Sequence, residues 1–395
     1  MEKNRRKVDT CWHVLFITAT VVFISISLER TTSFLYIAIM EEFGVNRQTA
    51  SWPISIMTSL GGVIGIFVGL LQRRFSIRHI MLVGSILAWA GILTSGFATS
   101  TQWLILTMGV IHGTGFGIMH VTMRYFAMLY FDKLRGVAMG ITSLGISMAG
   151  FVFPKILLFL GDTYSFQSSL LILGAFSMNI SPLAYLLKVP QWRKLTEQCE
   201  SAASTRPSSL TCATKTTVHQ QEIQSITSFT KILPNSSWTL SSMVRTPIFH
   251  VVVLSAAVSH VFEICFMSSL TDFCQDRGLT TTDAVWLTSC FGLTDIIGRM
   301  FVPLLADKGV LRRSTLLMLL HLFMATVMMA APSVTTYWSL AAIEAFGAFL
   351  YGSGAVMYDV LAVEYFGLEK LPTMYGIIGV IEVPLQLCNP LILGK

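Results

Sequence analysis

The sequence predicts an all-α, polytopic membrane protein, and two observations lead to this fold class: the composition and the pattern of apolar segments. Of the 395 residues, 53% are hydrophobic and only 12% are charged, and the mean hydropathy is +0.66. An average soluble domain contains roughly 25% charged residues, so this chain has too little charge to cover a soluble protein of its size. A disordered chain needs the opposite composition. A membrane protein is the class that remains.

Eleven apolar segments of about 20 residues are long enough to cross a bilayer as helices. They are 12–40, 53–71, 80–99, 102–127, 136–160, 166–187, 247–272, 282–305, 314–332, 337–362 and 372–393. The segment 188–246 is different, because it is rich in Ser and Thr with scattered Lys and Arg, as flexible linkers are. We therefore divide the chain into a six-helix N-terminal half (1–187), a cytoplasmic linker (188–246) and a C-terminal half with five helices (247–395).

The Lys and Arg residues predict the orientation. If the N-terminus is cytoplasmic, the inside segments contain 20 of them and the outside segments contain only Arg47 and Arg277. Positive residues accumulate on the cytoplasmic side of membrane proteins, so the N-terminus is predicted to be cytoplasmic. The formal net charge of +6 therefore reflects topology, and it does not indicate a nucleic-acid partner.

A weak internal repeat indicates two related halves. The sequence 70–74, after span two, and the sequence 304–308, after span eight, lie 234 residues apart at the same place in each half. Parallel six-helix repeats are the plan of the major facilitator superfamily, in which the substrate binds between the halves. Taken alone, the two basic loops are equally well explained as positive-inside anchors. A 6+6 bundle needs a twelfth span, and we expect the missing element to be the last helix.

Charged residues inside predicted spans are candidates for function, because each costs roughly 2.5–3.5 kcal/mol on insertion scales. Asp295 and Arg299 in span eight are spaced i and i+4, so they share one helical face. Arginine binds both oxygens of a carboxylate with its planar fork. We interpret the pair as an anion site that opens when a substrate competes for Arg299. The alternative is an ion pair that only fixes helix packing.

Arg30 lies about ten residues inside span one, which is too deep for its side chain to reach the outer surface with ease. We predict that it faces a cavity. We expect Arg124, near the inner end of span four, to reach the cytoplasmic interface instead. Glu263 and His260 in span seven could relay protons or hydrogen-bond a neighbouring helix. No metal-ligand spacing, cofactor motif or nucleophile–base constellation is visible in the sequence, so we expect neither an enzyme nor a bound cofactor.

The chain resembles the monocarboxylate transporter family over essentially its whole length. The strongest match enters span five, where the family signature is matched by Tyr130, Phe131, Lys133, Arg135, Gly140 and Gly145. Leu134 and Val137 depart from that signature. A second family signature, at span one, is retained only in Asp9 and Trp12. The Asp295–Arg299 pair also resembles the family pattern.

The resemblance implies roles for several residues. Asp295 matches the position that couples transport to protons, and Arg299 matches the position that binds carboxylate. Arg30 stands where proton-coupled members have a lysine, and an arginine stays protonated at physiological pH. Proton coupling would therefore rest on Asp295 alone or be absent. The signature residues from Asp9 to Gly145 are expected to have structural or gating roles.

The function predicted from these observations is secondary-active transport of a small monocarboxylate or related organic anion by alternating access at the plasma membrane. The resemblance implies the anion, a proton, the bilayer lipids and a single-span glycoprotein as partners. Two alternatives remain open at this point. One is facilitative transport of a neutral or zwitterionic solute without protons, and the other is a receptor-like protein on the same fold that does not transport.

Overall fold

The computed structural model describes residues 9–190, 243–260, 281–334 and 336–393, and every regular element in these ranges is a helix. The predicted fold class is therefore confirmed. Most of the predicted linker 188–246 lies outside the described residues, as does Glu263.

Helix is present in each of the eleven predicted segments, and the described helices are numbered here in chain order. They are α1 (Trp12–Ser25), α2 (Thr32–Phe43), α3 (Arg47–Leu71), α4 (Ile77–Ser95), α5 (Thr101–Tyr130), α6 (Arg135–Thr163), α7 (Phe166–Leu186), α8 (Pro247–His260), α9 (Thr281–Asp307), α10 (Arg313–Ala330), α11 (Tyr337–Phe366) and α12 (Leu371–Leu393). Seven of them, α3 to α7 with α10 and α11, are long and apolar enough to cross a membrane alone. The count of eleven spans remains a prediction.

Span one is interrupted, so the prediction of one continuous helix over 12–40 is wrong. Helix α1 ends at Ser25, a 3₁₀ turn covers Glu29–Thr31, and α2 begins at Thr32. The Ser25 hydroxyl donates to the Val21 carbonyl at 2.8 Å, and the Thr31 hydroxyl donates to the Ser27 carbonyl at 2.9 Å. Such side-chain bonds compete with the helical hydrogen bonds and bend helices. The interruption places Arg30 at a break in the helix.

Glycines bring the helices of the N-terminal half into backbone contact. A Cβ atom on Gly113 would lie 2.8 Å from the Met57 carbonyl oxygen, and one on Gly117 would lie 2.3 Å from that of Gly61. Both glycines are in α5 and both neighbours are in α3. Small residues at this spacing allow membrane helices to approach closely, so Gly113 and Gly117 let α5 pack against α3.

Gly115 makes a similar contact with α4, and this gives a test of the packing. A Cβ on Gly115 would lie 2.2 Å from the Ala88 nitrogen, whereas a Cβ on Gly161 in α6 would meet nothing within 4 Å. We expect Gly115→Ala to lower the free energy of unfolding by about 1–3 kcal/mol through overpacking. Gly161→Ala should leave stability unchanged or raise it, because alanine favours helix. Thermal unfolding in detergent measures both, and equal effects would contradict the described α4–α5 contact.

One end of the bundle carries most of the loop arginines and lysines, and we call it the basic end. Its loops contain Arg73, Arg74, Lys133, Lys308, Arg312 and Lys370. Helices α3, α5, α9 and α11 finish there, and α4, α6, α10 and α12 begin there. On the predicted orientation this end faces the cytoplasm.

At the basic end, α3 and α12 pack along a line of small residues that joins the two predicted halves. A Cβ on Gly62 would lie 3.0 Å from Gly379 Cα, one on Gly65 would lie 2.6 Å from Gly376 N, and one on Gly69 would lie 2.3 Å from Thr373 Oγ1. We call these six residues the glycine seam. At Gly62, Gly65, Gly376 and Gly379 the helices touch through backbone atoms, so a side chain added at these four positions would separate the halves. At Gly69 the neighbouring atom belongs to the Thr373 side chain, which can move.

Candidate functional site

Asp295 and Arg299 form the buried ion pair that their spacing predicts. Arg299 Nε lies 2.8 Å from Asp295 Oδ2, and the two residues are 2% and 3% exposed. Ser147 on α6 also donates a hydrogen bond to Asp295 Oδ2. The Arg299 guanidinium lies 5.8 Å from the centre of the Tyr351 ring on α11. The pair therefore belongs to the C-terminal half but contacts the N-terminal half through Ser147.

Arg30 lies in the 3₁₀ turn that interrupts span one. Its side chain runs along α6, where a Cβ on Gly150 would be 3.6 Å from Arg30 Cδ. Helix interruptions at membrane depth occur where the backbone is buried in protein or lines a cavity. His120 on α5 lies within electrostatic range of Arg30 and Arg299, so the two predicted binding residues share one region.

Arg124 does not reach the interface, and that expectation is wrong. Its Nε lies 3.5 Å from Asp359 Oδ2 on α11, and its side chain is only 11% exposed. The guanidinium also lies 5.0 Å from the centre of the Tyr375 ring on α12, and the Tyr375 hydroxyl donates to Asp359. A buried carboxylate partner explains why this arginine stays inside the protein. Its distance to Asp359 in sequence, 235 residues, hides the pair from any local pattern.

A second carboxylate outside the predicted site pairs with a histidine. Nδ1 of His260, at the end of α8, lies 2.7 Å from Oε2 of Glu382 on α12. The histidine side chain is 37% exposed and the glutamate side chain 5%. The sequence pattern indicated His260 together with Glu263, which lies outside the described residues. The pair with Glu382 joins helices that are far apart in the chain.

Arg299, Asp295 and Glu382 lie near the middle of the predicted membrane. At 1.5 Å of rise per residue, Arg299 and Asp295 are about 12 and 18 Å from the end of α9 at Asp307. Glu382 is about 16 Å from the start of α12. The hydrocarbon core is about 30 Å thick. We use the name central cluster for Arg30, His120, Arg124, Asp295, Arg299 and Asp359.

The predicted signature residues meet at the basic end, in front of α6. The Asp9 carboxylate accepts from the backbone N–H groups of Asp132 (2.9 Å), Lys133 (3.4 Å) and Leu134 (3.4 Å). The Trp12 ring packs edge-on against Phe131 with 5.4 Å between centroids. The two family signatures, one from span one and one from span five, therefore form a single structural unit.

The rest of the span-five signature fixes this unit and the helix behind it. The Tyr130 hydroxyl donates to the Lys188 carbonyl, and Arg135 forms an ion pair with Asp132 at 2.8 Å. A Cβ on Gly145 would lie 2.3 Å from the Ala19 carbonyl oxygen of α1. Gly145 thus allows α6 to pack closely against α1, whereas the contacts of Tyr130 and Arg135 lie at the end of α5 and in the loop before α6.

Asp307, from the second basic loop, binds the start of α6 from the other half. Its Oδ2 accepts from the Val137 backbone N–H at 2.9 Å, and its Oδ1 lies 3.1 Å from Arg313 Nη2. A carboxylate at a helix N-terminus is stabilised by the unpaired N–H groups and by the helix dipole. A Cβ on Gly140 would lie 2.4 Å from the Arg299 carbonyl oxygen, so α6 and α9 also touch here.

Replacing Asp9 should weaken the start of α6. Asp9 has a left-handed backbone with φ of 61°, which Asp and Asn tolerate better than other side chains. We expect Asp9→Ala to lower the free energy of unfolding by about 0.5–2 kcal/mol, as the loss of a helix cap does. Asp9→Asn retains an acceptor oxygen and should lose less. Unfolding temperatures in detergent measure both, and an equal loss in the two variants would contradict the capping role.

Comparison with known proteins agrees with this architecture. The chain matches the sequence model of the Major Facilitator Superfamily over residues 15–382. It is similar to monocarboxylate transporter 9 of Gallus gallus, with 22% identity over 93% of this chain and 83% of that protein. It is also similar to monocarboxylate transporter 4 of Gallus gallus, with 25% identity over 97% of this chain and 76% of that protein.

Monocarboxylate transporter 12 of Xenopus laevis is a third relative, with 23% identity over 93% of this chain and 78% of that protein. The resemblance inferred from the span-one and span-five signatures is thus confirmed across almost the whole chain. No group of three or more His, Cys, Asp or Glu side chains arranged to hold a metal ion occurs in the described ranges. The helical fold, the buried charges between its halves and the extent of the sequence match place the chain in one family: it belongs to the Major Facilitator Superfamily.

Proposed function

We propose that this membrane transporter carries a small monocarboxylate or related organic anion by alternating access, with the substrate carboxylate bound at Arg299 and Arg30. The observation that supports the proposal is the buried Asp295–Arg299 pair at mid-membrane depth. Arginine suits a carboxylate because its planar fork donates two parallel hydrogen bonds. The names of the similar transporters point to the same substrate class.

The charged groups of the central cluster favour an anion. Its arginines stay protonated, and the described ion pairs are Asp295–Arg299 and Arg124–Asp359. A substrate carboxylate that displaces Asp295 from Arg299 replaces one anion by another. A cationic substrate would be repelled by the arginines, at a cost that rises with burial.

Asp295 has a defined part in this proposal as the internal competitor of the substrate. Asp295 is ion-paired with Arg299 when the site is empty, and it releases Arg299 when the substrate carboxylate binds. The sequence also predicts Asp295 as the proton-coupling residue, and protonation would release Arg299 for the anion. A neutral Asp295 in an empty site would leave Arg299 as a buried cation without its counter-ion, so protonation and substrate binding must occur together.

The contacts between α6 and α9 support alternating access. Near the basic end, a Cβ on Gly140 would lie 2.4 Å from α9. Further from that end, a Cβ on Gly292 would lie 3.8 Å from the Ser147 carbonyl oxygen and 3.9 Å from Phe151 Cβ. The halves are thus packed more tightly at the basic end, as expected of a carrier closed on that side. We propose that this end faces the cytoplasm at the plasma membrane, with the N-terminus on the same side.

Uptake by purified protein in lipid vesicles tests the proposal. Labelled small monocarboxylates should enter saturably, and unlabelled monocarboxylates should compete. Repeating uptake at two external pH values separates a proton-coupled carrier from a facilitative one. Uptake of a neutral or zwitterionic solute that carboxylates do not inhibit would overturn the anion assignment. Absence of flux for every solute, with correctly folded protein, would favour the receptor-like alternative. Co-expression with a single-span glycoprotein tests that proposed partner.

A further inference from the structure

While the site is empty, the Asp295–Arg299 pair is a poor place to hold a proton, and the His260–Glu382 pair is a better one. Asp295 Oδ2 accepts hydrogen bonds from Arg299 and Ser147, and a guanidinium cannot give up its charge. Glu382 faces an imidazole instead, at 2.7 Å. Imidazole is the side chain that ordinarily changes its charge between about pH 5 and 8.

The surroundings of the pair suit a group that gains and loses a proton. Glu382 Oε1 is buried and has no hydrogen-bond partner among the described residues, whereas the His260 side chain is 37% exposed. The pair thus joins a buried carboxylate to a partly exposed imidazole at ion-pair distance.

The groups that face the pair connect it to the central cluster. Among the described residues they are His120 on α5, Tyr358 on α11 and His321 on α10, which contacts Ser259. His120 itself lies within electrostatic range of Arg30, Arg124 and Arg299. His120 is within electrostatic range of His260, and Tyr358 is within range of Glu382 and Arg124. A change in the charge of the pair therefore changes the electrostatic potential at the proposed anion site.

We propose that the His260–Glu382 pair is the site at which this transporter binds the proton that moves with its organic anion. Before the proton arrives, the imidazole is neutral and the carboxylate is ionised. The incoming proton binds to the pair and changes its charge from −1 to zero, which makes the neighbouring cluster more attractive to an anion. When the anion leaves on the other side, the pair releases its proton there. The inference rests on the transport function proposed above and specifies its coupling residues.

Two transport modes distinguish this role from a structural one. In vesicles with an inward gradient of one pH unit, a one-to-one proton symporter accumulates its anion about tenfold. At equal pH, exchange of labelled for unlabelled anion needs binding and alternating access but no net proton movement. We expect His260→Gln and Glu382→Gln to lose the accumulation and keep the exchange. His250→Gln is the matched control, because His250 is exposed on the same helix at the basic end, and it should keep both.

Accumulation by His260→Gln equal to that of the parent protein would overturn the proposal. A parent that exchanges anions but never accumulates them with a pH gradient would also overturn it while leaving the transport function intact. If no solute is transported, infrared difference spectra of the purified protein between pH 5.5 and 7.5 provide the test. They should contain histidine and carboxylate bands that both substitutions remove and His250→Gln retains. A parent spectrum without such bands would contradict the assignment.

Discussion

Arg299→Ala is expected to abolish carrier-mediated uptake of organic anions and to lower the free energy of unfolding by about 3–5 kcal/mol. The second effect follows from removing one partner of a buried ion pair, which leaves the other as an uncompensated charge. Asp295 is 3% exposed and would be that charge. Radiolabel uptake in vesicles and thermal unfolding in detergent measure the two effects on the same preparation.

The double variant Asp295→Asn with Arg299→Gln separates binding from stability. It removes both charges and keeps hydrogen-bonding groups of similar size, so it should recover most of the stability that Arg299→Ala loses. Uptake should remain absent, since Arg299, one of the two arginines proposed to bind the carboxylate, is missing. Arg47→Ala, an exposed arginine at the start of α3, is the control and should change neither. Transport by the double variant at the parent rate would refute the role of Arg299 in binding.

A disulfide between Gly69→Cys and Thr373→Cys is expected to stop transport completely and reversibly. A Cβ on Gly69 would lie 3.4 Å from Thr373 Cβ, close to the roughly 3.5–4.5 Å that separates the Cβ atoms of a disulfide. The cross-link joins α3 to α12 across the glycine seam. If the halves must part at the basic end in each cycle, the oxidised protein cannot complete the cycle, and reduction should restore uptake.

The controls for this cross-link come from the same chain. The parent contains seven cysteines, so the parent and both single-cysteine variants receive the same oxidant. They should keep their activity, and only the double variant should change its mobility on a non-reducing gel. Full transport by protein that is demonstrably cross-linked would show that the seam stays closed during the cycle.

Much of the fold was predictable because membrane helices are recognisable in a sequence as long apolar runs. The apolar runs correspond to helices, and Asp295–Arg299 was found because i, i+4 spacing places two side chains on one face whatever the tertiary structure. Gly140 was identified as a signature residue, although its neighbour, the Arg299 backbone, was not. Local geometry thus accounts for the features that sequence analysis described correctly.

The features that were missed have two different causes. The interruption at Arg30 is local, because Ser and Thr hydroxyls bond to the backbone four residues earlier within a run that is apolar enough for one helix. Arg124 was expected at the interface because its partner Asp359 is supplied by α11. The partner of such a polar group is determined by helix packing, which one sequence does not encode locally.

The glycine seam also affects the energetics of opening. A contact between side chains usually restricts rotamers when it forms, at a cost of up to about 2 kcal/mol for each long side chain. Glycine has no side chain to restrict, so α3 and α12 can close and part at Gly62, Gly65, Gly376 and Gly379 without that entropic term. The attraction there is dispersion between backbone atoms, which is weak for each pair and falls off within a fraction of an ångström. A surface of this kind favours frequent reversible separation over permanent adhesion.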